Sequence, residues 1–188
     1  MAQILAGEIR KGVTFDYKSG TYTVTDFQHV KPGKGAAFVR TTLKNVVTGQ
    51  VLTGETFNPT AKLELAEVLT KKMTYSYYDG GEFYVFMDDE YNQEELTKDQ
   101  CEDALHFIKE NDTVTVRYLK GKAFSVEPEN FVELKVVEAD PGVKGNTATN
   151  AMKRAVLETG YEIQVPMFVN EGETIRIDTR TGEYMSRV

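Results

Sequence analysis

Two stretches of this chain repeat each other at a fixed distance, and that spacing narrows the possible folds more than composition does. Phe107-Ile-Lys-Glu-Asn-Asp-Thr-Val-Thr-Val aligns with Phe168-Val-Asn-Glu-Gly-Glu-Thr-Ile-Arg-Ile, and Gly121 and Ser125 align with Gly182 and Ser186, every pair 61 positions apart. A repeat of this kind means two copies of one small unit. Each copy runs through β-branched residues to a glycine turn, so the unit is built of strands, and the second begins near Glu127–Phe131. A five-stranded barrel of the oligonucleotide-binding type fits ~60 residues with one optional helix. Phe107 and Phe168 should then occupy equivalent places.

The remaining sequence is also strand-like. From Ala6 to Phe57, short β-rich runs (Val13–Tyr17, Thr21–Val30, Ala37–Asn45, Val51–Phe57) are separated by turn residues such as Lys18-Ser-Gly and Thr48-Gly49. That pattern favours a small barrel over a helical domain. Ala61–Thr70 alternates Leu63, Leu65, Val68 and Leu69 with polar residues, which permits either a strand or a short helical turn. Asp79-Gly80-Gly81 between two aromatic-rich runs predicts a hairpin. Thr97-Lys-Asp-Gln100 fits a capping box, and Cys101, Leu105 and Ile108 follow at i, i+4 and i+7, which predicts one helix with Cys101 as a small core residue. Asp88, Asp89 and Glu90 do not match a calcium loop and read as a solvated turn. The expected fold is mostly all-β, in three small barrels covering 1–64, 65–127 and 128–188, with one short helix in the second.

Charge and composition exclude several roles. The net charge is −7, which argues against a broad binder of nucleic acid, but its distribution is uneven. Residues 1–64 hold eight Lys/Arg against five Asp/Glu, a net of +3, while 65–127 hold seven against fourteen and 128–188 seven against ten. A limited phosphate-facing patch is therefore possible in the first third alone. One cysteine precludes an internal disulfide and suits a reducing cytosol. With two histidines besides it, a His/Cys zinc cluster is not expected. No run approaches the ~20 apolar residues of a membrane span, and the N-terminus lacks the basic start and apolar core of a signal peptide. The chain reads as cytoplasmic, metal-free and without a cofactor.

Lys31-Pro32-Gly33-Lys34 lies between two of the β-rich runs and fits a type II turn, with Gly33 at the position that needs positive φ. Gly35 adds a second permissive residue. The result is a long hairpin, up to about 30 Å if extended from Thr21 to Val30, with Lys34 at its tip between two glycines. His29-Val-Lys-Pro-Gly-Lys-Gly-Ala-Ala-Phe-Val-Arg40 resembles the lysine-bearing loop of the elongation factor P family. A second likeness lies at the other end: Lys153-Arg-Ala155, Gly160, Ile163-Gln-Val165-Pro166, Val169 and Gly172 are similar to that family's C-terminal signature, and Ile175 to Val188 continues it. Together the two cover nearly all of the chain in the family's order.

The resemblance implies an SH3-like (KOW-like) N-terminal barrel followed by two oligonucleotide-binding barrels. It implies a monomer that binds the 70S ribosome between the peptidyl and exit sites, touching peptidyl-site tRNA and ribosomal RNA, and relieves stalls at consecutive prolines. Lys34 carries over as the tip lysine, open to a lysine-modifying enzyme, with Pro32, Gly33 and Gly35 shaping the turn. Lys31 and Arg40 become phosphate contacts, Tyr184 and Arg187 contacts near the small subunit. Gly145-Asn146-Thr147 stands where the family has a Gly-Asp-Thr loop near the exit-site codon, so the aspartate is replaced. Two other readings stay open from the residues: a generic single-stranded RNA binder stacking bases on Tyr77, Tyr78, Phe83 or Tyr84, and an enzyme using Lys34 as nucleophile. The second conflicts with a wet, glycine-flanked tip, since a catalytic lysine needs burial or a neighbouring cation to activate it, so the expectation is a non-enzyme.

Overall fold

The structure, a computed structural model, describes residues 1–142 and 150–188. Among these the regular structure is mostly strand, arranged in three sheets, with one α-helix, α1 (Lys98–Leu105), and a 3-10 turn at Ala6–Glu8 that the sequence pattern does not announce. It divides into two compact units, Met1–Leu69 with Arg117–Phe124, and Thr70–Val116 with Ser125–Val188.

The first sheet contains β1 (Gln3–Leu5), β2 (Thr14–Tyr17), β3 (Gly20–Val30), β4 (Phe38–Asn45), β5 (Val51–Phe57) and β6 (Lys62–Leu65), in the order β1-β6-β2-β3-β4-β5. The period of two is clean on β4, where Val39, Thr41 and Leu43 are buried and Arg40 faces out. Phe15, Val24 and Leu43 fill the core with Ile9 and Ala6, and Phe57 meets the Phe15 ring edge-on at 5.8 Å. Ala61–Thr70 proves to be strand: β6 ends at Leu65 and the next strand starts at Val68.

The second sheet takes β7 (Val68–Tyr78), β8 (Phe83–Met87), β9 (Gln93–Thr97), β10 (Thr113–Leu119) and β11 (Lys122–Pro128), in the order β11-β10-β7-β8-β9. The Asp79-Gly80-Gly81 turn forms as expected: Asp79 Oδ1 accepts from the Gly81 and Phe83 N–H groups (2.7 and 3.1 Å), and Gly80 takes φ 81°. At the start of α1 the Thr97 N–H donates to Gln100 Oε1 at 2.9 Å, the reciprocal half of a capping box. The helix is shorter than the i, i+4, i+7 spacing suggests. It ends at Leu105 and buries Cys101 and Ala104, while Ile108 is buried from the chain beyond it. Cys101 is a core residue, 1% exposed, its thiol pushed up to about 12 by burial.

Asp88 corrects the reading of its neighbourhood as a solvated turn. Its side chain is buried, pairs with Lys71, and accepts from the Glu90 and Asn92 N–H groups, both at 2.9 Å, and from Asn92 Nδ2 at 3.0 Å. Those bonds, the lysine first, hold its carboxyl well below the usual range. They also fix the turn that carries Tyr91 at φ 64°.

The third sheet takes β12 (Phe131–Ala139), β13 (Met152–Leu157), β14 (Glu162–Pro166), β15 (Thr174–Asp178) and β16 (Glu183–Arg187), in the order β14-β13-β12-β15-β16. Counted from its own first strand, each of the last two sheets runs 3-2-1-4-5. Pro166 closes an edge strand, where its missing N–H costs nothing. Leu134, Leu157, Val165, Ile175 and Ile177 form the core.

The 61-residue repeat is visible bond by bond. Asn111 N–H donates to Tyr75 O (2.7 Å) and Gly172 N–H to Val136 O (2.8 Å); Tyr75 N–H returns to Asp112 O and Val136 N–H to Glu173 O, both at 2.9 Å. Asp112 accepts from Lys109 N–H (2.9 Å) as Glu173 accepts from Asn170 N–H (2.7 Å). The side chains at the head of the repeat do not follow. Phe107 is buried, 6% exposed, in the core cluster of the third sheet, whereas Phe168 is 55% exposed. The expected equivalence holds for the backbone and fails for these two rings, because Phe107 has Tyr161 to pack on at 5.3 Å.

Candidate functional site

The β3–β4 pair is the frame of the site. Its register runs from Tyr22↔Asn45 to Val30↔Phe38, with a bulge between Val24 and Asp26. β5 supports β4 out to Val39↔Phe57, so most of the eleven-residue strand β3 lies within the sheet. The projecting part is therefore shorter than a fully free arm. It consists of the end of the ladder and the loop from Lys31 to Ala37, every residue of which is exposed.

The loop is not the turn that Pro32-Gly33 suggests. Gly33 does not adopt positive φ, and a β-carbon placed there would meet nothing within 4 Å. The left-handed residue is Gly35, at φ 107°. The type II reading fails because the chain reverses over a longer loop, with the permissive glycine after Lys34 and not before it. Lys34 stands at the tip as expected, next to the one loop residue that only glycine tolerates well.

The cations of this hairpin differ in their surroundings from many of the others in the molecule, though not from all. Lys18, Lys71, Lys72, Lys109, Arg154, Arg180 and Arg187 each sit within 4 Å of a carboxylate. Among the described residues, Lys31, Lys34 and Arg40 have no such partner. Of the acids beside the ladder, Glu55 on β5 is already engaged: Tyr17 Oη donates to it at 2.6 Å and Lys18 Nζ at 3.3 Å, which holds its carboxyl below the usual range. Arg40 lies opposite Gln28 and its guanidinium rests 5.7 Å from the Phe38 ring centre. An i, i+2 pair on a strand shares a face, so Phe38-Val-Arg40 contains the signal for that contact. Three unpaired cations on an exposed loop and ladder can accept phosphates at little desolvation cost.

The other sequence candidates lie in the third sheet. Tyr184 is half-buried against its core, edge-on to Phe168 at 6.4 Å, and the Arg187 guanidinium sits 4.8 Å over the same ring while Nη1 donates to Glu173 at 3.3 Å. The structure thus joins Tyr184 and Arg187 through Phe168, which nothing in the local sequence marks as exposed. Gly145, Asn146 and Thr147 lie outside the described residues. Of the proposed stacking platforms, Tyr77 and Tyr78 are exposed and Tyr78 stacks on Tyr84 at 4.6 Å, while Phe83 is half-buried. They sit in the most acidic third of the chain, which opposes a phosphate backbone.

Three family models match the chain in succession: an elongation factor P KOW-like domain over residues 5–63, an elongation factor P OB domain over 68–126, and an elongation factor P C-terminal domain over 132–187. Among curated relatives, elongation factor P of Clostridium acetobutylicum is 61% identical over 186 residues, covering 98% of this chain and 99% of the relative. That of Clostridium novyi is also 61% identical, over 98% and 100%. A solved structure, a translation initiation factor 5A from Methanococcus jannaschii, covers 68% of this chain and 92% of its own at 16% identity, with a TM-score of 0.43. No helix among the described residues is long and apolar enough to cross a membrane.

Proposed function

This chain belongs to the elongation factor P family and is a translation elongation factor, and from that premise we propose how it acts. It binds the 70S ribosome between the peptidyl and exit sites and presents Lys34 to the peptidyl-tRNA, promoting peptide-bond formation at consecutive prolines. The observation that carries this reading is the tip: a lysine without a carboxylate partner among the described residues, at the end of a ladder, in an exposed loop of an otherwise acidic protein.

Proline is a poor nucleophile on a restricted backbone. A factor that holds the tRNA end in line lowers the entropic part of the barrier, which in ideal systems reaches ~7–11 kcal/mol. The ribosome performs the chemistry, and this chain acts by positioning. Lys31 and Arg40 take phosphates beside the tip. Tyr184 and Arg187 contact RNA from the third sheet, with Gly145, Asn146 and Thr147 near the exit-site codon, where Asn146 lacks the charge of the family's aspartate. The molecule works as a cytoplasmic monomer in three modules bounded near residues 64 and 127, and Lys34 is a substrate for a modifying enzyme.

The test is in-vitro translation of a message with three consecutive prolines against a proline-free control. Lys34→Ala leaves thermal stability within ~0.5 kcal/mol, since the site is exposed, and abolishes rescue. Lys34→Arg restores charge but only part of the function, because a guanidinium differs in shape and cannot take a lysine-specific extension. The loop geometry sharpens the test. Gly35→Val strains a positive φ, costing about 1–2 kcal/mol locally, and re-aims the tip, so rescue falls; Gly33→Val is tolerated. Normal rescue by Lys34→Ala sinks the mechanism.

A further inference from the structure

The hairpin has a second decorated face that the assignment of Lys34 does not use. Phe27 and His29 lie at i and i+2 on β3, on the same side as their cross-strand partners Thr41 and Val39. Val39 and Thr41 are buried, so this is the core-facing side of the sheet. Beyond the bulge at Val24/Asp26 the side chains of β3 on that face emerge: Phe27 is half-buried and His29 exposed. Their rings meet edge-on at 5.7 Å and 87°. Arg10, from the segment before β2, lays its guanidinium 5.8 Å from the Phe27 ring centre and is itself exposed.

A cation and two aromatic rings now stand in a row, five residues below the tip. Arg10 Nη1 donates to Ile9 O at 2.7 Å, which leaves most of its five N–H groups unused. No carboxylate lies within 4 Å of it among the described residues, and nearby Glu8 accepts the Leu5 N–H at 3.2 Å. This third of the chain carries a net +3. A row that only sealed the barrel end would not need an exposed cation and imidazole at its outer edge.

We propose that Arg10, Phe27 and His29 form a second RNA contact along the flank of the hairpin, the guanidinium holding a phosphodiester and the rings stacking a base of the same strand. This rests on the hairpin entering an RNA-lined site, but it assigns a different task. Lys34 acts at the reaction, whereas this row sets how tightly the arm is held. RNA is favoured over an acidic protein segment because rings beside a guanidinium match the base-and-phosphate alternation of a single strand.

The two roles separate in one experiment, using the full chain and 70S ribosomes stalled at three prolines. Affinity is measured over a salt series, and rescue over a range of factor concentration. Arg10→Gln should weaken binding several-fold and flatten the slope of log affinity against log salt by ~0.7–0.9, the value of one phosphate contact. His29→Ala should weaken binding roughly fivefold with the slope unchanged, as loss of stacking does. Both should reach wild-type rescue at saturating concentration. Lys34→Ala should show the opposite: near-normal affinity and no rescue. Wild-type affinity and slope for Arg10→Gln overturn the proposal while leaving Lys34 untouched. Weakened binding with an unchanged slope also overturns it, because the guanidinium then meets protein and not phosphate. Full rescue by Lys34→Ala would instead remove the reading on which the proposal stands.

Discussion

The two copies of the repeat share a backbone and part company at two side chains. In the first copy, Phe107 is buried in the core of the third sheet beside Tyr161, and Arg117 sends Nη2 to Gly12 O (2.8 Å) and Thr14 Oγ1 (3.0 Å). In the second copy the matching positions are Phe168, exposed, and Asp178, satisfied locally by Arg180 at 2.9 and 3.0 Å. Residues 117 and 178 are each only 9% exposed, yet they carry opposite charge. The difference teaches what the fold requires and what the neighbours require. Turn bonds and core valines recur because any copy needs them. The two variable positions follow their partners: Phe107 packs into the core of the third sheet and Arg117 reaches Gly12 and Thr14, while Asp178 is satisfied by Arg180 in its own turn. Phe168, left open, is the ring on which Arg187 rests and which Tyr184 meets edge-on.

The strongest way to break this comparison is to truncate both rings. Phe107→Ala should cost ~3–5 kcal/mol, as deletion of a buried aromatic does. Phe168→Ala should cost less than about 1 kcal/mol, since its ring is already wet. Urea unfolding followed by circular dichroism measures both. Equal costs would mean that Phe107 does not carry the packing its burial indicates.

Next in size is the pair of buried charges. Arg117→Leu removes a donor from both the Gly12 carbonyl and Thr14 Oγ1, leaving that carbonyl the weaker Thr14 Oγ1 bond at 3.2 Å, a loss of about 1–3 kcal/mol. Asp178 adds a dependence on pH. Arg180, by its hydrogen bonds, holds the Asp178 carboxyl below its ordinary value, so its stabilisation is complete above the unfolded value of about 3.9. It is lost as pH falls through the window beneath. Asp178→Asn should therefore be clearly less stable than wild type at pH 6, and the gap should close on titration towards pH 2. A gap that stays constant would show that charge at 178 is irrelevant.

How much of this was legible beforehand follows the range of the interactions. The Asp79-Gly80 turn, the Gln100 half of the cap and the Lys34 tip rest on contacts within a few residues, which residue type reports well. The 61-residue period shows as recurring residue types, although bonds it repeats, such as Asn111 N–H to Tyr75 O, join segments far apart in the chain. Gly33 misled because two glycines flank the lysine, and the choice between them depends on where the ladder ends at Val30↔Phe38. Asp88 misled because its burial depends on Lys71, seventeen residues away on another strand. Phe107 and Phe168 could not be told apart at all: the difference lies in Tyr161, which no local pattern connects to either. At the candidate site the cations were legible, but their lack of carboxylate partners was not, since that depends on which acids the strand register brings beside them, and Arg40 faces Gln28 and Thr56.

The smallest expected effect tests the part of the comparison that should hold. Asn111 and Gly172 occupy the same place in the two copies, at φ 76° and 86°, each donating its N–H to the first strand of its own sheet. A left-handed residue costs about 1–2 kcal/mol for most side chains, but asparagine tolerates it through local hydrogen bonding. Glycine removes that cost and adds unfolded-state freedom of about 0.4–1 kcal/mol in the other direction. The exchanges Asn111→Gly and Gly172→Asn should therefore each stay within ~0.5 kcal/mol, a shift in Tm of about 1–2 °C. A β-carbon at Gly172 meets nothing within 4 Å, so only the dihedral is at stake. Gly172→Val and Asn111→Val, which have no such tolerance, should each lose the full 1–2 kcal/mol. If Gly172→Asn costs as much as Gly172→Val in a thermal scan, the two turns are not the same turn, and the repeat ends at the strands.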